Sequence, residues 1–517
     1  MKPWLVFDCE TDSFDGAPVE PFIWGALDCE GNYFQTYNTG ELIRYLFDFD
    51  GIALAHNGGK FDALFLRDAF NIGDEIKIIN GRVAEVRIGK CLVRDSFLII
   101  PSPLKASGEK EEFDYSILSR HKKHLRKKFK SEIEHYLKQD CIALFNLVER
   151  FYAEHGQRLT QAGAALACWE KMGGKIRRRG GAHDDVFRQF YHGGRCQAFQ
   201  KGALGDGWDY FDIKSSYPYA MSLEHTASPL YEYRMHRNIK KIIPQAFARI
   251  IASNRGCLPI RTKLETEYPF HDDAREYFAT GWEILAGLRT NTLKIYEATI
   301  FEPTELETLK PYVELFYKNK IEAEIKKDSV GYLIAKIFLN SLYGKFGQNP
   351  ADFHKFKIVE INDREDGYET FLECDTFDIV KKLSGGQFFD VALSASITGC
   401  ARAKLFEQML QVDELAYCDT DSIICRGGQF DVGMELGQWE LKHQLKNFFV
   451  AGKKLYMGED LKTGKFIQAH KGFSELDVEP HHIINAALGI ESKITRSAPS
   501  INISGSQNFI KRTMRKT

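Results

Sequence analysis

The sequence predicts a multidomain α+β protein, an α/β unit first and a larger mixed unit behind it. Three observations point there. The chain has 517 residues, room for three or four domains of about 150 residues each. Its first part alternates strand-like and helix-like stretches, the pattern of a layered α/β domain. Beyond a Gly/Arg-rich break the composition shifts, and two long helix-like stretches follow one another.

Trp4–Phe7, Phe22–Leu27 and Ile52–His56 read as strands, and Phe61–Phe70 and Ser131–His155 as helices. Ser131 with Glu134 three residues later has the form of a capping box. Met172-Gly173-Gly174-Lys175 and Arg179-Gly180-Gly181-Ala182 mark a linker, so the chain divides into 1–170, 171–195 and 196–517. Glu305–Lys327 and Val330–Phe346 read as a helical hairpin. The polar segment 351–390, with aromatics at alternating positions and Ser384-Gly385-Gly386, reads as an extruded hairpin.

Hydrophobic residues make up 44% and charged residues 27% of the chain, an ordinary globular composition. No apolar run approaches the roughly 18 residues of a membrane span. The start, Met1-Lys2-Pro3-Trp4-Leu5-Val6-Phe7-Asp8, turns acidic at once and lacks signal-peptide architecture. The cysteines are scattered without a Cys-x-x-Cys pair, which argues against zinc and disulfides and for a reducing interior. A soluble cytoplasmic protein, neither secreted nor membrane-bound, is expected. Net charge is −2, yet Arg120–Lys130 holds seven Lys or Arg in eleven positions. Lys175–Arg179 and the pairs Lys511-Arg512 and Arg515-Lys516 add two more basic clusters. Cations of this kind suit a polyanion.

The acidic motifs carry the chemistry. Asp419 and Asp421 stand i, i+2 in Tyr417-Cys418-Asp419-Thr420-Asp421-Ser422, a spacing that turns both side chains to one face of a strand. Asp212 follows another apolar run, in Tyr210-Phe211-Asp212-Ile213. Hard oxygen ligands on adjacent strands suit Mg²⁺, and three carboxylates can hold two ions about 4 Å apart for in-line phosphoryl displacement. A second set lies upstream. Asp8 and Glu10 share a strand face, Asp62 precedes a helix, and Tyr136 and Asp140 share a helix face at i, i+4. Four carboxylates from three elements suffice for two metals, with Tyr136 placed to orient a water whose pKa the metal lowers.

The order of the upstream set, Asp8-x-Glu10, Asn57-x-x-x-Phe61-Asp62 and Tyr136-x-x-x-Asp140, resembles the exonuclease motifs of proofreading family B DNA polymerases. The resemblance implies a ribonuclease-H-like fold and 3′→5′ digestion. It also implies that Thr11, His56, Asn57, Phe61 and Phe65 grip the single-stranded 3′ end, and that Ser96-Phe97 matches a strand-contacting Ser-Leu pair with Phe replacing Leu.

The second part resembles the polymerase motifs of the same family. Asp212–Pro218 looks like motif A, with Asp212 a metal ligand, Tyr217 under the nucleotide sugar excluding a 2′-hydroxyl, and Ser216 where Leu is usual. Lys336-Ile337-Phe338-Leu339-Asn340-Ser341-Leu342-Tyr343-Gly344 looks like motif B. Lys336, Asn340 and Tyr343 form one stripe of a helix, a cation for the triphosphate and an aromatic for the nascent base pair. Tyr417–Ser422 matches motif C, and Lys454-x-Tyr456 the later Lys-x-Tyr motif at the primer terminus. Tyr191-His192-Gly193-Gly194 resembles the motif that coordinates synthesis with proofreading, and Thr398-x-x-x-Arg402 a DNA-contacting motif of the protein-primed branch.

The gaps from Pro218 to Lys336 and from Gly344 to Thr398 far exceed a connection of about 4–6 residues. They fall where that branch carries its two terminal-protein regions. The resemblance therefore implies a right-hand polymerase: palm 196–225, 300–310 and 391–455, insertions about 226–300 and 351–390, helical fingers about 305–348, small thumb 456–517. It implies a monomeric viral, phage or plasmid replicase acting on a DNA template–primer and dNTPs, started by a terminal protein. Two Mg²⁺ ions per centre, replaceable by Mn²⁺, and strand displacement with processivity are implied too. Alternatives are the same polymerase priming from a nucleic-acid end or without a primer, and a DNA-binding nuclease with an inactive polymerase half. Intact Asp212, Asp419, Asp421, Lys336 and Tyr343 argue against the last.

Overall fold

The computed structural model describes the chain except residues 15, 105–112, 175–180, 227–232, 264, 364–365, 387–389 and 476, and for 181–184 describes only the backbone. The basic cluster Lys175–Arg179 lies outside the described residues.

Trp4–Thr11 is an almost wholly buried strand, longer than the apolar run alone predicts because Asp8 and Glu10 continue it. It pairs in parallel with Ile52–Ala55 and antiparallel with Pro21–Asp28. Lys130–His155 is a helix lying on these strands. Its cap is Phe129 with no side-chain hydrogen bond, so the Ser131/Glu134 capping box does not form. Glu134 is engaged elsewhere: its carboxylate accepts from Gln35 Nε2 at 2.8 Å and Tyr37 Oη at 3.1 Å. Asp62–Ala69 winds as a 3₁₀ rather than an α-helix. The expected linker contains a helix, Gly181–Arg188.

The segment expected to be extruded is instead annexed to this first sheet. Its strands run Glu369–Glu373, Asp378–Leu383, His354–Val359, then Glu75–Ile79, Arg82–Ile88, Cys91–Asp95, Ile52–Ala55, Trp4–Thr11, Pro21–Asp28 and Tyr33–Thr36. Phe356 pairs with Ile76 across the join, and Phe356, Ile358, Phe377 and Ile379 enter the apolar core around Phe7 and Leu64. Burial of that apolar face decides the outcome, because a free hairpin would leave it in water.

A second sheet runs Phe466–His470, Leu455–Asp460, Trp439–Gly452, Trp208–Ile213, Ser422–Arg426, Glu414–Asp419 and Cys196–Ala198, with Gly202–Gly205 added on Trp439–Gly452. Leu455–Asp460 and Phe466–His470, expected in a separate thumb after 456, thus extend this sheet. The buried helix Val391–Met409 packs against the helices Gly181–Arg188, Ser216–Met221, Gly281–Arg289 and Ser329–Phe346. The first insertion forms a four-stranded sheet, Tyr233–His236, Leu293–Pro303, Phe247–Arg255 and Phe270–Thr280. The helical hairpin is Lys310–Ile325 and Ser329–Phe346, shorter at its start than expected because Leu306–Thr308 is a strand paired with Glu224–Thr226. Asp328 caps the second helix, accepting from Gly331 N–H at 2.9 Å. No helix among the described residues is long and apolar enough to cross a membrane.

Candidate active sites

Strand pleating turns Asp8 and Glu10 to one side, and the helix Lys130–His155 lays Asp140 against them. Carboxylate oxygens of Asp8, Glu10 and Asp140 lie within 4.8 Å of one another, the one such acidic triad among the described residues. Asp62 sits beside them, accepting from Cys9 Sγ at 3.2 Å. Burial above all lifts its carboxyl to about 6. Tyr136 is buried, its hydroxyl 2.6 Å from that of Tyr115. Burial first, then Tyr115 and Asp140, push its phenol far above the ordinary range, so it stays protonated. A hard-oxygen triad, Glu10 and Asp140 buried and Asp8 half-buried, fits a divalent cation, which would offset the crowded charge.

The residues expected to grip a strand divide in two. Phe61 and Phe65 meet edge to face at 5.2 Å, Phe14 stands against Phe61, and His56 and Phe97 lie 5.8 Å apart. Thr11 and Ser96, by contrast, are buried and bonded inward. Thr11 Oγ1 donates to Asp12 O, and Ser96 Oγ donates to Ala55 O at 3.2 Å and lies 3.1 Å from His56 Nδ1. They brace the site rather than present a surface. Tyr115 and Arg82 were not anticipated. Arg82 bonds both Asn57 Oδ1 and Asp95 and stacks over Phe97 at 4.6 Å. Tyr115 had a weak signal in the aromatic run Phe113-Asp114-Tyr115; Arg82 had none.

The second centre is on the other sheet. Asp212 is the penultimate residue of a strand whose neighbour carries Ser422 at the same level, and Ile213 N–H donates to Asp421 O at 2.7 Å. The expectation that Asp419 and Asp421 alternate on one strand is overturned. Asp419 closes Glu414–Asp419, Ser422 opens the next strand, and Thr420 between them is left-handed at φ 60°. The hairpin turn, not pleating, sets the pair. Thr420 N–H donates to Arg195 O at 2.6 Å, which fixes the turn against the segment after Gly194.

The three carboxylates do not converge as the first triad does. Asp419 is drawn into an ion pair with Lys454 Nζ at 3.0 Å. Burial, then Asp212, then Asp419 raise the Asp421 carboxyl to about 7. Burial also raises Asp212, with Lys442, Lys336 and Lys320 opposing. An acidic pair so penalised fits a divalent cation, which would relieve both the burial and the repulsion.

Tyr217 and Tyr343, from separate helices, stack with centroids 4.1 Å apart and planes 19° apart. Ser216, beside Tyr217, is buried. Asn340 Nδ2 donates to the Lys336 carbonyl at 2.8 Å. Tyr456 is buried against Tyr417, whose hydroxyl accepts from Lys454 N–H at 2.9 Å. Lys320, Lys214 and Lys442 were missed, because single lysines spread over three elements leave no pattern in sequence. Lys320 is half-buried and its ammonium pKa is lowered, by burial first and then by Lys336.

Thr398 and Arg402, expected to touch DNA, are 1% and 3% exposed. Arg402 Nε donates to Glu283 Oε1 at 2.8 Å, and its Nη1 to the carbonyls of His192 and of Gly193, the latter at 3.0 Å. Arg402 therefore ties the first insertion to the Tyr191–Gly194 segment from inside. Tyr191 itself offers its carbonyl to Arg261.

Residues 94–384 match the family model described as DNA polymerase type B, organellar and viral. The DNA-directed DNA polymerase of Enterobacteria phage PRD1 is 34% identical over 99% of this chain and 97% of its own length. A probable DNA polymerase of Ascobolus immersus is 28% identical over 53% of this chain and 24% of its own. Phi29 DNA polymerase complexed with primer-template DNA shares the fold at TM-score 0.76 and 17% identity, with both chains covered in full.

Proposed function

Because the chain belongs to the organellar and viral DNA polymerases of type B, we propose that its two acidic centres divide replication between them. That membership makes it a DNA-directed DNA polymerase, an enzyme class that works with divalent metal ions. In the reading proposed, Asp212 and Asp421 serve synthesis, and Asp8, Glu10, Asp62 and Asp140 serve 3′→5′ removal of a mispaired end. The substrates are a DNA template–primer and dNTPs, the molecules named with the phi29 polymerase structures.

For synthesis, a primer 3′-oxygen or a priming protein's hydroxyl attacks the α-phosphate of the dNTP, and pyrophosphate leaves. Mg²⁺, two ions per centre and replaceable by Mn²⁺, would lower the pKa of the attacking oxygen and offset charge on the phosphate. Lys336 and Lys320 place positive charge toward the triphosphate. Tyr217 lies under the sugar and Tyr343 on the nascent base pair. Lys454, steadied by Asp419, reaches for the primer terminus. At the other centre the protonated Tyr136 orients the attacking water, while Phe61, Phe65 and Phe97 hold the frayed end.

The observation that carries this reading is the placement of two acidic centres on two different sheets, one with a converging, largely buried triad and one, half-buried, across a three-strand junction. The insertions, both β units with exposed faces, are read as the surfaces that take a terminal protein and embrace DNA, giving strand displacement and processivity. The protein is read as a monomer in the host cytoplasm.

Primer extension with Mg²⁺ by the parent and by Asp421→Ala tests the synthetic centre; equal extension would sink it. Asp140→Ala should keep extension and lose 3′ digestion. Labelled dAMP joined covalently to a candidate priming protein would support protein priming, and extension only from nucleic-acid ends would remove it.

A further inference from the structure

The basic run Arg120–Lys130 has no part in either centre as described so far. It winds as 3₁₀ turns, Arg120–Lys127, and leads into the helix that carries Tyr136 and Asp140. One carboxylate pins it. Asp12, 5% exposed, faces Arg126 and Arg120 directly and Lys123 Nζ at 3.7 Å. Asp12 lies two residues past Glu10, just after the strand that bears Asp8 and Glu10. The segment before the run carries Tyr115, whose hydroxyl meets Tyr136. The helix behind it reaches Tyr136 six residues after Lys130, about 9 Å along the axis.

The run is therefore held through Asp12 to the end of the strand of Asp8 and Glu10, and leads directly into the helix of Tyr136 and Asp140. Carboxylates among the described residues do not neutralise all of its charge. Of its seven cations, Arg120, Lys123 and Arg126 are paired with Asp12, and Lys130 with Glu134 at 3.8 Å. Lys122, Lys127 and Lys128 are exposed and form no ion pair among the described residues, although Lys122 is near enough to Asp114 to help hold its carboxyl down. Exposed lysines this closely spaced, on a chain of net charge −2, form a local positive patch that a polyanion can neutralise. We infer that this patch is a binding track for the phosphate backbone of single-stranded DNA on its way to the Asp8/Glu10/Asp140 centre. The inference rests on the exonuclease reading.

The test is the charge-reversal variant Lys122→Glu/Lys127→Glu/Lys128→Glu in the full chain. Binding of a fluorescent single-stranded oligonucleotide is followed by anisotropy in EDTA, where nothing is cut, across a salt series. Each neutralised phosphate contributes about 0.7 to the salt slope for single strands, so three lost contacts should flatten the log–log slope by about 2 and weaken low-salt binding roughly tenfold or more. With Mg²⁺, the KM for 3′ digestion should rise in step while kcat stays put, and extension of a paired primer should be retained, which shows a folded enzyme. Unchanged affinity and slope would overturn the track. Digestion that survives Asp140→Ala would overturn the exonuclease reading instead, and the anisotropy result would still decide whether the patch binds DNA.

Discussion

Gly194 leaves room for Thr420. A Cβ at position 194 would stand 2.7 Å from Thr420 Oγ1 and 2.8 Å from Cγ2. Thr420 is the left-handed residue between Asp419 and Asp421, so the Gly-Gly segment forms the floor under the turn that aims both carboxylates. Gly194→Ala should force that turn to shift at a cost of about 1–3 kcal/mol. Primer-extension kcat should drop by about tenfold or more, with 3′ digestion of single strands unchanged. Extension at the parent rate would show that the floor does not position the turn.

Glu283 and Arg402 form a buried ion pair at 2.8 Å. Burial pushes the Glu283 carboxyl up, but Arg402 and its hydrogen bonds outweigh that and hold it below its ordinary value. Removing one partner leaves a buried charge alone, so Glu283→Gln should cost about 3–5 kcal/mol, and Glu283→Met/Arg402→Met should recover much of it. The folded carboxyl titrates below the unfolded one, so the pair's stabilisation is full at neutral pH and is lost as pH falls through the folded value. Chemical denaturation of the parent and both variants against pH reads this; a double variant no better than the single one would contradict it.

Lys320 lies among the cations that oppose protonation of Asp212. Its removal should weaken dNTP binding by about 1–2 kcal/mol, roughly a tenfold rise in KM. Single-nucleotide incorporation by Lys320→Ala measures it. A fall in kcat with unchanged KM would place Lys320 elsewhere in the reaction.

Ile358 is fully buried in the core that also holds Phe7. Its backbone N–H donates to Asp74 O at 3.1 Å, so the second insertion and the first sheet should unfold together. Ile358→Ala should cost about 2–5 kcal/mol. In hydrogen exchange it should deprotect Glu75–Ile79 and Asp378–Leu383 alike. Loss of protection in Asp378–Leu383 alone would show that the join is only a contact.

By itself the sequence determined the carboxylates, the helical stripe of Lys336, Asn340 and Tyr343, and the strand of Asp8 and Glu10. Those rest on local spacing and on side-chain chemistry that no neighbour alters. Tertiary structure decided which residues bury and which converge. The turn at Thr420 replaced an assumed strand because its backbone must reverse between two paired strands. Arg402 went inside because Glu283, far away in sequence, supplies the countercharge. The segment 354–383 joined the first sheet because an open strand edge and an apolar face were waiting for it. Each of these is a long-range pairing whose free energy exists only once distant segments meet, and nothing local in the chain encodes it.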